Sequence, residues 1–324
     1  MGALGAVPST IFVMYSSPVT TWQYVPIVDL PTPLEEASAE LSEGRPLFLK
    51  REDVHELGAF KWRGALPSLE KYRSEGADGV VTASTGNHGA ATAWAAERTG
   101  MRAVVFVPAD ASETKLALLE DLGAELRRVG TDLDESKDLA REHAAANDLP
   151  FFEDGAEPAQ FEGYAAIGEE ILRQLGEPPL RVIVPVGNGA LIIGVRQGIG
   201  RVLGVVAKEA PVMALSVEAG HPVECDRSAT FADGMAVRVA IPLAVDELSR
   251  GTPMMMVSER EIARAVRDYA AAGTRVEGAA GSALAAFRKL KPEQHDPTVL
   301  IVTGRNIDDE LHRRCVEEPD SFPD

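Results

Sequence analysis

The segment Arg181-Val-Ile-Val-Pro-Val-Gly-Asn-Gly-Ala190 joins an apolar, β-branched run directly to a glycine-rich turn. The run predicts a buried strand, and the apolar residues after the turn predict a helix. Glycines allow a backbone to approach a phosphate closely, but such a turn also occurs as a plain strand-to-helix connection. The stretch is not a GxGxxG motif, because Ile192 stands three positions after Gly189. A dinucleotide site is therefore disfavoured.

Similar apolar runs recur on both sides of this stretch. They predict further strands at residues 79–83, 103–107, 213–217 and 298–303, separated by helical patterns. Runs that are apolar on both faces and alternate with helices are typical of a parallel sheet in an α/β protein. The sequence therefore predicts an α/β fold with parallel sheets flanked by helices.

Turns rich in glycine and polar residues follow three of these strands. They lie at residues 84–89, 187–190 and 303–306. In an open parallel sheet, ligands bind at the carboxyl ends of the strands, where helix N-termini offer free N–H groups. We expect the three turns to converge on a ligand with more than one anionic group.

Two helices and the end of the chain have local signals of their own. Ser258 and Glu261 form a capping-box pattern, and Ser112 is placed to cap a helix that Gly123 closes. Residues 317–324 are predicted to form a frayed acidic tail.

Composition and charge limit the class of partner. The chain has 324 residues, 45% of them hydrophobic, with 32 Lys and Arg against 50 Asp and Glu for a formal net charge of −18. Neither nucleic acid nor a membrane surface is expected as a partner, because both usually require a basic face. Residues 1–28 lack the pattern of a secretion signal, and Cys225 and Cys315 sit in no metal-binding spacing. We expect a cytoplasmic protein with unpaired thiols.

A second motif, Gly58-Ala-Phe-Lys-Trp-Arg-Gly-Ala65, places a single lysine among small and aromatic residues. Partial removal of Lys61 from water would favour its amine as a nucleophile for Schiff-base chemistry. Taken alone, the segment favours a surface lysine whose stem packs beside Trp62.

Six motifs occur in a fixed order along most of the chain. They are Leu49-Lys-Arg-Glu-Asp53, Phe60-Lys-Trp-Arg-Gly-Ala65, Ala83-Ser-Thr-Gly-Asn-His-Gly89, Pro185-Val-Gly-Asn-Gly-Ala-Leu191, Ala232-Asp-Gly-Met235 and Val302-Thr-Gly304. Together, from about residue 26 to residue 310, they resemble the fold-type II pyridoxal phosphate enzymes. Within that group the chain most resembles the threonine and serine dehydratases, with serine racemase close by and some threonine synthase-like motifs.

The resemblance implies a two-domain, tryptophan synthase β-like fold and pyridoxal 5′-phosphate as the cofactor. A small domain at residues 74–153 would be inserted into a discontinuous large domain formed by residues 1–73 and 154–324. It also implies a homodimer that acts on a small amino acid.

Roles for individual residues follow from the same resemblance. Lys61 matches the lysine that binds the cofactor covalently and is catalytic. The cofactor is further bound by Asn87 at its 3′ oxygen, by Thr303 at the ring nitrogen, and at the phosphate by the loop of Gly187, Asn188, Gly189 and Ala190. The substrate carboxylate is expected to lie against Ser84, Thr85, Asn87 and His88.

The implied reaction is β-elimination, a dehydration and deamination of a hydroxy amino acid such as threonine or serine or of a related β-substituted amino acid. Tyr164 replaces the glutamine of the related enzymes, which puts the usual substrates in doubt and assigns this residue to substrate binding. Two alternatives stay open: a replacement reaction of the threonine synthase or cysteine synthase type, and a non-catalytic ligand-binding relative.

Two acidic features complete the sequence-based predictions. Glu218, Pro222 and Glu224 have the spacing of the divalent-cation site of serine racemase, for Mg²⁺ or Ca²⁺, or they form a solvated acidic loop. Glu277 stands at a predicted helix start, where it would face the cofactor or simply complement the helix dipole.

Overall fold

The computed structural model describes residues 12–13, 23–24, 31–226, 228–291 and 297–324. Its strands are β1 Phe12–Val13, β2 Gln23–Tyr24, β3 Leu34–Glu36, β4 Leu47–Arg51, β5 Gly79–Ala83, β6 Arg102–Val107, β7 Glu125–Arg128, β8 Arg181–Pro185, β9 Val202–Ala207, β10 Met254–Val257 and β11 Thr298–Val302. Its helices are α1 Ala39–Ser42, α2 Trp62–Ser74, α3 Asn87–Thr99, α4 Glu113–Asp121, α5 Leu133–Ala146, α6 Pro158–Leu175, α7 Ala190–Ile199, α8 Val212–Ala219, α9 Pro242–Leu248, α10 Glu259–Ala271, α11 Gly278–Lys289 and α12 Asp309–Glu317.

The larger sheet has six strands in the order β10-β9-β8-β11-β4-β3. Neighbours from β10 to β4 are parallel, and β3 joins the edge antiparallel to β4. Strands β8 and β11, which precede two of the predicted ligand turns, lie side by side in the middle. Both are almost entirely buried, which explains why their sequences are apolar on both faces.

A separate sheet has three parallel strands in the order β5-β6-β7. It is built within residues 79–128, inside the segment predicted to form the small domain. Helix α5 covers one face through Ala140 and Ala144, and α4 contributes Leu116 and Leu119 to a second cluster with Val105. The α/β prediction with parallel sheets is therefore confirmed, whereas the domain boundaries at residues 74 and 153 stay a prediction.

Two local predictions are wrong. Residues 213–217, predicted as a strand, belong to helix α8, which begins after Pro211 and exposes Leu215 while burying Met213. A short apolar run does not distinguish a strand from a buried helix turn, and here its helical burial pattern decides. Residues 317–324 are not frayed, because Phe322 is buried against Phe231 with ring centroids 4.7 Å apart.

The predicted helix signals are confirmed at α10 and in part at α4. Ser258 and Glu261 form a complete capping box, with Ser258 Oγ accepting the Glu261 N–H and Glu261 Oε2 accepting the Ser258 N–H. Ser112 precedes α4 without a side-chain cap. The prediction for residues 1–28 concerns a segment outside the described residues, apart from β1 and β2. No helix in the described part of the chain is long and apolar enough to cross a membrane.

Candidate active site

Lys61 stands at the N-terminal end of α2, held against the turn that follows β11. The backbone N–H of Phe60 donates to the carbonyl of Thr303 at 3.0 Å, and the N–H of Arg305 donates to the carbonyl of Gly58 at 2.9 Å. A short antiparallel bridge at Ala59 reinforces this contact. Two of the predicted site segments, separated by most of the chain, are therefore hydrogen-bonded to each other.

The Lys61 amine faces a carboxylate that the sequence did not reveal. Its Nζ lies 2.5 Å from Asp154 Oδ2, and the lysine side chain is 14% exposed. Asp154 Oδ1 accepts a hydrogen bond from Gln160 Nε2 at 3.2 Å and lies 3.6 Å from His88 Nδ1. Burial disfavours the charged form of Asp154, but the Lys61 ammonium, His88 and the Gln160 amide together outweigh it and hold the pKa of Asp154 well below its usual range.

A second carboxylate connects two of the predicted cofactor-binding residues. Glu277 Oε1 accepts the hydroxyl of Thr303 at 2.7 Å, and Glu277 Oε2 accepts the amide of Asn87 at 3.0 Å. The amide oxygen of Asn87 in turn accepts from Asn306 Nδ2 at 2.7 Å. Burial raises the pKa of Glu277 above its ordinary value, although both hydrogen bonds oppose this. The structure thus brings together the turns that begin at residues 84 and 303.

The glycine-rich turn lies at the start of α7. A Cβ on Gly187 would lie 2.4 Å from the carbonyl oxygen of Gly234, and Gly189 has a φ of +94°, so the backbone here requires glycine at both positions. Asn188 Oδ1 accepts the N–H of Ala190 at 3.1 Å, which uses one donor of the turn. The N–H of Ile193 donates to the carbonyl of Gly189 at 3.1 Å, whereas the N–H groups of Leu191 and Ile192 precede the first helical hydrogen bond and can bind an anion.

The turn also approaches the lysine site. A Cβ on Gly155, the residue after Asp154, would lie 2.7 Å from Asn188 Cγ. The lysine, the acidic residues and the glycine-rich turn therefore share one region at the carboxyl ends of the parallel strands.

The loop that leads into α3 contains the residues predicted to bind the substrate carboxylate. Ser84 and Thr85 are half-buried, and Ser84 Oγ accepts the N–H of Gly86 at 3.1 Å. The ring of His88 is buried and turned away from this loop, since its Nε2 lies 3.1 Å from the carbonyl oxygen of Phe152. A contribution of His88 to carboxylate binding would have to come from its backbone N–H at the start of the helix.

Tyr164, predicted to bind the substrate, lies in the interior. Its side chain is 0% exposed and packs against Phe60, with ring centroids 5.1 Å apart. A Cβ on Gly64 or Gly194 would collide with it at 2.6 Å or 2.5 Å respectively, so both helices depend on small residues to accommodate the ring. The ring packs in the core beneath the lysine segment, with Asp154 and Gln160 close to its hydroxyl. The assignment of Tyr164 to substrate binding stays a prediction.

The proposed cation ligands are placed at the surface. Glu218 lies near the end of α8, and Pro222 and Glu224 lie in the exposed segment that follows. No group of three or more His, Cys, Asp or Glu side chains within the described ranges is arranged to hold a metal ion. The cation site stays a prediction to which the structure adds no support.

Asp154 and Gln160 are the residues that sequence reasoning missed. Asp154 stands two positions after the apolar pair Phe151-Phe152, of which Phe151 pairs with Val81 of β5 in an isolated parallel bridge. Acidic residues at the end of a short apolar extended segment were the available signal. It was weak because the segment is too short for a strand pattern to be recognised.

Comparison with known proteins identifies the class. Residues 27–304 match the family model described as pyridoxal-phosphate dependent enzyme. The chain belongs to this family, and the predicted resemblance is confirmed.

Individual relatives narrow the comparison. The chain is 32% identical over 294 residues to the L-threonine dehydratase biosynthetic IlvA of Pasteurella multocida, covering 85% of this chain and 56% of that protein. It is 32% identical over 278 residues to the L-threonine ammonia-lyase of Geobacter sulfurreducens, covering 82% of this chain and 68% of that protein. The chain thus spans little more than half the length of the Pasteurella enzyme. The processed form of threonine deaminase isoform 2 from Solanum lycopersicum has a similar structure, with a TM-score of 0.82 and 30% identity over 89% of this chain and 88% of that one.

The residues present fit the family's cofactor, pyridoxal 5′-phosphate. The amine of Lys61 is accessible for a covalent bond, and the turn from Gly187 to Ala190 has the close-approach glycines and helix N-terminus that a phosphate requires. Thr303 provides a hydroxyl, and Asn87 an amide, on the side of the site formed by Glu277.

Proposed function

We propose that this chain is a pyridoxal phosphate-dependent ammonia-lyase. It would remove a β leaving group from a hydroxy amino acid such as threonine or serine, or from a related β-substituted amino acid. The observation that carries the proposal is the position of Lys61, whose accessible amine contacts Asp154 and whose segment is hydrogen-bonded to the Thr303 turn. The names of the similar proteins, L-threonine dehydratase and L-threonine ammonia-lyase, support the same reaction class.

The chain's own residues would divide the work as follows. The bound cofactor supplies a carbonyl carbon that captures the substrate amine and a ring that withdraws electrons from Cα. Lys61 Nζ would remove the Cα proton, because its position next to the bound amine makes it the nearest base. Asp154, at 2.5 Å, stabilises the ammonium that results. The N–H groups at the start of α3 would hold the substrate carboxylate.

Thr303 favours elimination over other reactions of the cofactor. A neutral hydroxyl at the ring nitrogen does not stabilise a full positive charge there as a carboxylate would. The ring is then a milder electron sink, which suits a reaction in which the leaving group departs quickly. In the structure the Thr303 hydroxyl donates a hydrogen bond to Glu277 Oε1. Burial raises the pKa of Glu277, which favours the uncharged carboxyl.

The experiment is a measurement of keto-acid release by the cofactor-loaded protein. L-threonine should give 2-oxobutanoate and L-serine should give pyruvate, each with one ammonia. A replacement enzyme would instead form a new amino acid only when a nucleophile such as sulfide is added. A protein that binds the cofactor yet releases no keto acid from any β-substituted amino acid would contradict the proposal.

We also propose a cytoplasmic homodimer. The support for the compartment is chemical: Cys225 and Cys315 are both free thiols, as is usual in a reducing environment. The dimer rests on the family resemblance, and sedimentation of the purified chain would test it. No nucleic acid or membrane partner is proposed for a chain of net charge −18.

A further inference from the structure

Asp154 makes contacts beyond the one that the proposed lyase reaction uses. Its carboxylate contacts the Lys61 amine through Oδ2, which stabilises the Lys61 ammonium, and the Gln160 amide through Oδ1. A hydroxyl leaving group carries no charge and needs no carboxylate beside it. The oxygen that faces Gln160 and His88 therefore calls for a separate explanation.

His88 adds a second acceptor beside this carboxylate. The carbonyl oxygen of Phe152 only accepts hydrogen bonds, so His88 Nε2 must be the protonated nitrogen of the ring. Burial lowers the pKa of His88, which favours the neutral ring, and in the neutral ring with a proton on Nε2 the Nδ1 atom carries a lone pair. This Nδ1 is buried, has no hydrogen-bond partner among the described residues, and lies 3.6 Å from Asp154 Oδ1.

The two acceptors together form a site for a donor-rich cation. A carboxylate and an imidazole lone pair that face the same space repel each other unless a group with several N–H bonds lies between them. The Lys61 ammonium marks where such a group is held. Lys137, a further cation close to His88, is engaged by Glu153 at 2.5 Å and does not supply it.

The Lys61 ammonium is absent when the Cα proton is removed. Lys61 can take the Cα proton only as a neutral amine, so the ion pair with Asp154 is then absent. A partly buried carboxylate without a cation is costly, and a cationic group of the substrate would relieve that cost.

We propose that Asp154 and His88 bind a protonated amine on the β carbon of the substrate, so that the preferred substrate class is the 2,3-diamino acids. The inference rests on the proposed lyase function and deepens it. The β position follows from reach: Lys61 Nζ must touch the hydrogen on Cα, and a group that contacts the carboxylate 2.5 Å from Nζ lies about one bond further along the substrate. Protonation by contact with Asp154 also matches the chemistry, because an amine leaves as ammonia only when it is protonated.

The reaction balances without a further reagent. The Cα–H bond breaks and its proton goes to Lys61 Nζ, and the Cβ–N bond breaks with its electron pair leaving on nitrogen as ammonia. Water then converts the eliminated product into a keto acid and a second ammonia. For L-2,3-diaminopropionate the sum is diaminopropionate plus water giving pyruvate plus two ammonia.

The first test measures binding without turnover. The probes are 2-methyl-2,3-diaminopropionate and 2-methylserine, which lack the Cα hydrogen, and binding to the cofactor-loaded protein is followed by the cofactor's absorbance. We expect the diamino probe to bind at least about tenfold more tightly, since a hydrogen bond between charged groups commonly contributes that much. Asp154→Asn should reduce the preference to less than about threefold. The control, Glu153→Gln, changes a neighbouring carboxylate that pairs with Lys137 and Arg141 and should keep it.

The second test compares kcat/KM for L-2,3-diaminopropionate and L-serine, both of which yield pyruvate. Asp154→Asn should lower the ratio of the two values by about tenfold or more. Equal binding of both probes by the unaltered protein, or a preference that survives in Asp154→Asn, would overturn the inference. A protein that responds to 2-methylserine alone refutes the inference but leaves the proposed function standing. One that holds its cofactor, responds to neither probe and releases no keto acid from any β-substituted amino acid refutes both.

Discussion

The two faces of α2 at its first turn carry charges of very different kinds. On one face, Arg63 donates to both Glu52 and Glu170, and Lys50 Nζ lies 2.5 Å from Glu170 Oε2, with all four side chains at most 7% exposed. On the other face, two residues earlier, Lys61 meets Asp154 at a site that is 14–26% exposed. The first cluster satisfies its charges internally, whereas the second keeps an amine within reach of a ligand.

The two charged sites have different roles: the first stabilises the fold, and the second carries the chemistry. The buried cluster stabilises the fold, because removing one of its charged groups leaves an uncompensated charge in the interior. The second site retains an acceptor without a donor, His88 Nδ1, and an amine held by a single carboxylate. We therefore expect substitutions in the first cluster to change stability and substitutions in the second to change catalysis.

The largest effect is expected for Lys61→Ala. Loss of the amine removes the covalent bond to the cofactor and the base for the Cα proton, so keto-acid release should fall by at least about a thousandfold. The thermal midpoint should change little, because water can reach Asp154. Lys71→Ala is the matched control on the same helix, since Lys71 is 45% exposed and pairs with Glu157. Comparable activity in the two variants would show that Lys61 is not the catalytic amine.

Glu170→Gln tests the opposite face. Removing one carboxylate leaves Arg63 and Lys50 undercompensated in the interior, and the free energy of unfolding should fall by about 3 kcal/mol. Urea unfolding followed by circular dichroism measures it. The adjacent Glu169→Gln, at an exposed position, should stay within about 0.5 kcal/mol of the unaltered protein. If the two variants prove equally stable, the cluster does not hold the fold.

A smaller effect is expected at Thr303. Thr303→Val removes the hydroxyl that we place at the ring nitrogen of the cofactor and that donates to Glu277. Because the ring nitrogen then loses its polar partner, we expect the cofactor's dissociation constant to rise about tenfold and its absorbance maximum to shift. Thr303→Ser keeps the hydroxyl and should restore both. Should Val and Ser behave alike, the hydroxyl has no part in holding the ring.

The smallest effect is expected for Tyr164→Phe. The ring is fully buried and its packing on Phe60 is unchanged by the substitution, so stability should change by no more than about 1 kcal/mol. The ratio of kcat/KM for threonine and serine should change by less than about threefold, because the ring keeps its packing on Phe60. A larger change in that ratio would identify the Tyr164 hydroxyl as a determinant of substrate specificity.

The local pattern of apolar residues was sufficient to predict the strands that precede the site. The predicted runs at residues 79–83 and 298–303 correspond to β5 and β11, because strands buried on both faces must be apolar throughout. The same reasoning misassigned residues 213–217, where a helix buries a similar run of apolar residues. Length and composition are alike in the two cases, and only tertiary packing separates them.

Only the part of the site that has a local sequence motif could be predicted. Lys61 and the glycine-rich turn have recognisable neighbours in sequence, but Asp154 acquires its role only through proximity to Lys61 across 93 positions of the chain. The full burial of Tyr164 was equally invisible, since it depends on Gly64 and Gly194 of two other helices. Contacts of this kind are set by packing and leave no local periodicity.

The central claim is that Lys61 is the residue that binds the cofactor, and chemical trapping tests it most directly. The cofactor-loaded protein is treated with borohydride, digested, and analysed by mass spectrometry for the peptide that carries the reduced pyridoxyl group. The structure predicts a single modification on Lys61, accompanied by loss of the cofactor's visible absorbance. Modification of another lysine, or none, would contradict the account.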